Sequence, residues 1–293
     1  MSESITELHL KLFKCLDQEN YFGERKEIYD KVLSLTPKNA EEWAKKGFIY
    51  VRIKQPTEAI SCFEEALKLE PNNVQFLRDI SSVLFDNRHF KDSIPYLERI
   101  AEIASESASN WNLLAFCHLR IGHYDKAESL FKKALELDDQ NATINFDLGM
   151  FYKNQGQYKK ALEYLIKASK LGPNDDFVWF MLGHAYQKLE MSDEAIETYE
   201  IAVDLNPRND SVWNNLGLEY VKQRDYKKAI ECYKRAIQID DKSGTVWHNL
   251  KFAYYGTEEF EKADYCEKKS GHLAEFGEFE VKKPKETTKW YFV

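Results

Sequence analysis

Seven histidines and five cysteines are the residues of this 293-residue chain with the chemistry for metal ligation or nucleophilic attack. The thiols, Cys15, Cys62, Cys117, Cys232 and Cys266, stand far apart with no C-x-x-C pair, so neither a disulfide framework nor a zinc site is implied. Cys117 adjoins His118, a pairing that can activate a thiolate, but neighbours on a helix point in different directions. His118 stands where other segments carry tyrosine, so it reads as a core substitution rather than a ligand. No P-loop, G-x-S-x-G, H-E-x-x-H or dinucleotide fingerprint occurs, and the acidic residues fall on variable, solvated helix faces. The expectation is a chain with no catalytic residue, no metal and no cofactor.

Composition narrows the field further. The sequence is 43% hydrophobic and 31% charged with only 12 Gly and 7 Pro, enough to bury a large core and too few turn residues for a sheet protein. A net charge of -8 argues against nucleic-acid binding, which needs surplus Lys and Arg on the binding face. A helical-repeat reader of RNA would need a basic groove that is absent here. The N-terminus lacks a basic segment followed by an apolar run, and no stretch approaches the roughly 18 apolar residues of a membrane helix. A cytoplasmic protein without membrane insertion is expected.

The elements that must position any functional residue come from a repeat. Trp43, Trp111, Trp179, Trp213 and Trp247 are spaced by 34 or 68 residues. Starting each repeat three residues before its Trp gives beginnings at Ala40, Val74, Ala108, Ala142, Asp176, Asp210 and Gly244, with no insertion. Column 8 then holds Gly47, Gly149, Gly183 and Gly217, and column 11 holds Tyr50, Tyr152, Tyr186, Tyr220 and Tyr254. Column 20 holds Ala59, Ala127, Ala161, Ala195, Ala229 and Ala263; column 27 holds Ala66, Ala134, Ala168, Ala202 and Ala236; column 32 holds Pro37, Pro71, Pro173 and Pro207. Columns 4, 8 and 11 share one stripe of a first helix, and 20, 24 and 27 one stripe of a second, so the two close as a hairpin. Small residues permit close helix approach, large ones fill the wider gaps, and Pro stops the second helix.

With these columns the chain resembles the tetratricopeptide-repeat family over nearly its whole length. The resemblance implies an all-α, right-handed superhelical solenoid of stacked antiparallel helix pairs. Residues 1–39 are expected to be a degenerate N-terminal repeat or cap, 40–277 the tandem array with a capping last helix to about Phe276, and 278–293 a tail. The repeat from Val74 has Leu77 for Trp, Ser81 for Gly, Ser93 for Ala and Pro95 in its second helix, which predicts a looser unit. Pro95 would be tolerated if that helix starts near Lys91, among the N–H groups that lack intrahelical partners.

In this family the first helices line a concave surface, through columns 2, 5, 6, 9, 12 and 13. Those columns carry Phe116, Phe146, Met150, Phe177, Phe180, Met181, His184 and Leu218, an apolar strip of the kind that marks a binding site. Asn112, Asn214, Asn215 and Asn249 could bond a peptide backbone, and Asn215 and Asn249 in column 6 resemble an asparagine ladder of peptide-binding relatives. Column 13 is basic at Arg52, Arg120, Lys188 and Lys222, a groove edge suited to acidic residues beside large apolar ones; a plain solvated charge column is the alternative. The family's carboxylate grip on chaperone C-termini needs Lys in column 5 with Asn in column 9, a combination this chain never has. The resulting expectation is a non-enzymatic scaffold or adaptor that binds a protein or peptide partner. The alternative is a self-assembling structural protein, in which Trp290, Tyr291 and Phe292 of the tail dock into the groove of the same or a neighbouring molecule.

Overall fold

A computed structural model describes residues 5–16 and 22–276, and every regular element among them is a helix. α1 (Ile5–Leu16) and α2 (Phe22–Ser34) precede α3 (Ala40–Arg52), α4 (Pro56–Leu69), α5 (Val74–Asp86), α6 (Phe90–Ile103), α7 (Ala108–Arg120) and α8 (Tyr124–Leu137). α9 (Ala142–Asn154), α10 (Tyr158–Leu171), α11 (Asp176–Lys188), α12 (Ser192–Leu205), α13 (Asp210–Lys222), α14 (Tyr226–Ile239), α15 (Gly244–Gly256) and α16 (Phe260–Phe276) follow. The first helix of each repeat starts at its Ala40, Val74, Ala108, Ala142, Asp176, Asp210 or Gly244, making this an all-α tetratricopeptide-type solenoid. Asn39, Asn73, Asn141, Asp175 and Asn209 cap those starts, each side-chain oxygen accepting from a backbone N–H two or three residues on. The tail expectation, 278–293, lies outside the described residues, as does Cys15's side chain.

The chain divides into residues 1–148 and 149–293, a division that falls within α9. In the first unit α3 pairs with α4, α5 with α6 and α7 with α8, and each pair abuts the next through α4 on α5 and α6 on α7. Phe63, Ile80, Phe76 and Leu84 centre one part of its core; Ile5, Leu8, Val32 and Ile49 close its N-terminal end. In the second unit α11, α13 and α15 pair with α12, α14 and α16, and Tyr199, Tyr220, Tyr233 and Leu250 lie in one continuous core.

Two expectations for the Val74 repeat need correction. It is not loose: Leu77, Ile80, Leu97 and Ile100 are all buried, and Ser81 is small enough to replace Gly while its hydroxyl donates to the Leu77 carbonyl at 2.7 Å. α6 starts at Phe90, so Pro95 lies inside the helix, beyond the free donors of its first turn, and removes the N–H that would bond the Lys91 carbonyl.

Two recurrent contacts lock the repeat. The indole Nε1 of Trp111, Trp179, Trp213 and Trp247 donates to the carbonyl of Ser105, Pro173, Pro207 and Asp241, six residues upstream, at 2.8, 2.8, 3.0 and 2.9 Å, which ties each inter-repeat loop down. The hairpin turn places column 15 in the left-handed region in every repeat: Lys54, Arg88, Glu190, Arg224 and Glu258 at φ 60–62°, Gly122 at 83° and Gly156 at 71°.

Where a large side chain lies opposite, column 8 needs glycine for space. A Cβ on Gly217 would lie 2.6 Å from Cε1 of Tyr233, which is fully buried and has nowhere to move. Gly217→Ala should therefore lose ~1–2 kcal/mol in urea unfolding, because overpacking of ~1–3 kcal/mol exceeds the helix-propensity gain of about 1 kcal/mol.

Candidate functional site

Both kinds of helix leave apolar side chains in water: Leu69, Ile103, Leu137, Leu205 and Ile239 do so at or near the C-terminal ends of second helices, and Phe48, Phe177 and Phe252 on first helices. In the first unit Phe48 is exposed and meets Phe63 edge-on at 5.2 Å. Phe116 is half-buried between Phe85 and Phe90, at centroid distances of 5.4 and 6.2 Å. Arg120 lies with its guanidinium 5.1 Å from the Phe90 ring centre and 5.8 Å from that of Phe116, so this cation is engaged by aromatic faces. Phe146 is half-buried, and Arg52 is exposed in the last turn of α3, where a cation also favours the helix dipole.

Asn112 donates to Asp147 Oδ2 at 2.7 Å rather than standing free for a peptide backbone. Burial pushes the Asp147 carboxyl up to about 6, with the Asn112 bond opposing. A folded-state value above the ordinary 3.8 means that the native state holds its proton longer, so this site's stabilising contribution is full below about pH 4 and lost as pH rises through 6. Asp147→Asn should raise stability at pH 7 by ~1–2 kcal/mol and flatten the pH profile of melting between 4 and 7.

In the second unit Phe177 is 43% exposed and 6.4 Å from the half-buried Phe180, which rests on Tyr199 at 6.0 Å. Met150 and Leu218 are half-buried. Phe252, in the groove-facing column 9, is 51% exposed and packs edge-on against His248 at 4.8 Å. Met181 departs from expectation: at 7% exposure it belongs to the packed interior of α11 and is closed to a partner. Of the asparagines expected to meet a peptide backbone, Asn249 donates to Asn214 Oδ1 at 2.9 Å and Asn215 is half-buried. This bond and that of Asn112 with Asp147 both join column 5 of one repeat to column 6 of the next.

The basic edge is uneven. Lys188 is exposed at the end of α11, but Lys222 forms a 2.7 Å ion pair with Glu219, a fully buried carboxylate. Glu219 also accepts from Gln187 Nε2 at 2.7 Å and Ser192 Oγ at 2.8 Å. His184 is half-buried, and its Nδ1 is shut off from solvent without a hydrogen-bond partner. Burial pushes the ring down to about 4, assisted by the charges of Lys153 and Lys188. Lys153 was not legible as a site residue; a basic residue in the last turn of a helix reads as a dipole partner.

The Cys117–His118 pair lacks the surroundings of an activated thiolate. Burial pushes the Cys117 thiol up to about 11, and His118 is buried with its ring stacked on His123 at 5.6 Å. No described helix is long and apolar enough to cross a membrane.

Three family descriptions match the chain: tetratricopeptide repeat at residues 40–73 and 211–243, and the middle tetratricopeptide-like domain of cilia and flagella-associated protein 70 at residues 92–205. Among curated proteins, heat shock protein STI1 of Saccharomyces cerevisiae is 30% identical over 125 residues, 42% of this chain and 20% of that protein. The NatA auxiliary subunit N-alpha-acetyltransferase 16 of Mus musculus is 25% identical over 142 residues, 46% of this chain and 16% of that protein. The matched stretches are thus a small part of these relatives. The crystal structure of MamA is 26% identical and superposes with a TM-score of 0.54 over 55% of this chain and 95% of its own. With the family matches, the recurring column residues and the stacked helix pairs, the chain belongs to the tetratricopeptide-repeat family.

Proposed function

We propose that this chain is a non-enzymatic protein-interaction adaptor whose second unit holds a linear segment of a partner protein against its first helices. The observation that carries this reading is the apolar surface left on those helices, with Phe177 and Phe252 exposed and Met150, Phe180 and Leu218 half-buried. Apolar groups held in water on a rigid scaffold gain by burial against a partner, and aromatic anchors dominate such contacts. Lys188, in solvent beside them, favours a segment with acidic residues and speeds its encounter. One similar protein is an auxiliary subunit of NatA, which agrees with this class of function.

The test is a pull-down from a lysate of the source cells with the intact chain, a Phe177→Ala/Phe180→Ala variant of matched melting temperature, and a chain ending at Gly277. Partners captured by the intact chain, lost from the double variant and displaced by a peptide of about 20 residues from the same partner support the adaptor. Equal capture by the double variant contradicts the proposed face. No capture, with particle size by light scattering falling on truncation at Gly277, replaces the adaptor by a self-assembling protein.

A further inference from the structure

Two successive repeat junctions in the second unit use the same columns with opposite electrostatics. At the later junction, Gln187 in column 12 of one repeat and Lys222 in column 13 of the next both bond Glu219, in column 10 between them. The third donor is Ser192 at the start of α12. The carboxylate is fully buried and fully partnered, which is how a buried charge is made tolerable.

One repeat earlier the carboxylate is missing. Column 12 is Lys153, column 13 is Lys188 and column 10 is Ala185, while His184 occupies column 9 and Tyr158 the place of Ser192. Lys153 is half-buried, and among the described residues its ammonium has no hydrogen bond or ion pair. Burial alone holds its pKa below the ordinary lysine value; no carboxylate contributes. The buried Nδ1 of His184 also lacks a partner, and the charges acting on its ring come from Lys153 and Lys188. By contrast Lys251, a buried lysine of the same unit, is ion-paired with Glu267 at 2.5 Å. Lys153 and Lys188 thus hold the columns that bond Glu219 one repeat later, with His184 next to a buried alanine in the column of the carboxylate: a charge lattice with its anion removed.

We propose that Lys153, His184 and Lys188 form a receptor for the carboxylate side chain of an acidic residue in the bound segment, which meets them from the solvent side where Lys188 is exposed and answers the charges that Glu219 answers one repeat later. The source of that carboxylate rests on the adaptor reading; the receptor's chemistry rests on these residues. Each ammonium gains a charge-assisted hydrogen bond and loses the cost of partial burial without a counter-ion. Met150 and Phe180, in neighbouring columns on the same two helices, would flank the acidic residue, so the segment recognised carries large apolar side chains on either side of a Glu or Asp.

The experiment uses the full chain, with the His184 ring resonances assigned, and three blocked pentapeptides: acetyl-Phe-Ala-Glu-Ala-Phe-amide, its Gln counterpart and its phosphoserine counterpart. The Glu peptide should shift the His184 signals and bind at least ~10-fold more tightly than the Gln peptide, the value of a charged hydrogen bond. Lys153→Met should reduce the Glu peptide to the Gln level. Ala185→Glu, which supplies an internal carboxylate, should raise the melting temperature and abolish the Glu preference. The receptor is overturned if Glu and Gln peptides bind equally, if none of the three moves the His184 signals, or if Ala185→Glu lowers the melting temperature. Tighter binding of the phosphoserine peptide overturns the carboxylate assignment in favour of a phosphate site. Equal Glu and Gln binding that Phe177→Ala abolishes leaves the adaptor standing and the receptor refuted. A Glu preference that Phe177→Ala leaves untouched does the reverse.

Discussion

Tyr233→Ala should lower the stability of the second unit by ~3–5 kcal/mol, the usual cost of emptying a large aromatic site in a packed core. Tyr233 is fully buried, its ring lies against the space left by Gly217, and it belongs to the core shared by α11 to α16. Because repeats contact only their neighbours, the loss should appear as early melting of this unit and a broadened, less cooperative urea transition by circular dichroism. Tyr233→Phe is the informative control. The Tyr233 hydroxyl is shut off from solvent with no partner, and burial drives its pKa upward, so removing it should leave stability unchanged or raise it by ~1 kcal/mol. A large loss in Tyr233→Phe would mean that the hydroxyl has a partner.

The second large effect concerns binding. Phe177→Ala with Phe180→Ala should weaken a captured partner by ~30- to 100-fold, about 2–3 kcal/mol, if these rings are its central anchors. The two changes differ in their side effects. Phe177 is 43% exposed, so Phe177→Ala should cost less stability than Phe180→Ala, whose ring is half-buried and rests on Tyr199. Calorimetric titration with the partner peptide separates the two. An affinity change that follows melting temperature across the single variants, and not the exposed ring, would assign Phe180 to the core alone.

The repeat was legible because its packing leaves so little choice. A Cβ at Gly183 or Gly217 would lie 2.6 Å from a buried tyrosine, so these two repeats need glycine in column 8, while Ser81, Ala115 and Lys251 occupy that column elsewhere. The Trp column is legible for a second reason: its indole ties down the preceding loop. Column 15 was hidden, because Lys54, Arg88, Glu190, Arg224 and Glu258 adopt a left-handed conformation that only Gly122 and Gly156 announce.

The site was harder to read, since a column assigns a helix face without saying what the neighbouring repeat places against it. Met181 is closed off by the packed interior around α11, although its column was expected to face a partner. Glu219 looks like one more surface acid until Gln187, Ser192 and Lys222 converge on it. Lys153 looks like a helix-end cation until the missing carboxylate beside it is noticed, and only comparison of two junctions in space makes that visible.

The central claim, that the first helices of the second unit hold a linear segment, is tested most directly by mapping hydrogen exchange and surface labelling with and without a captured partner peptide. The account predicts slower exchange in α11 and α13 and loss of labelling at Lys153 and Lys188, with α12 and α14 unchanged. Protection confined to α12 and α14, with Lys153 and Lys188 labelled as in the free chain, would contradict it.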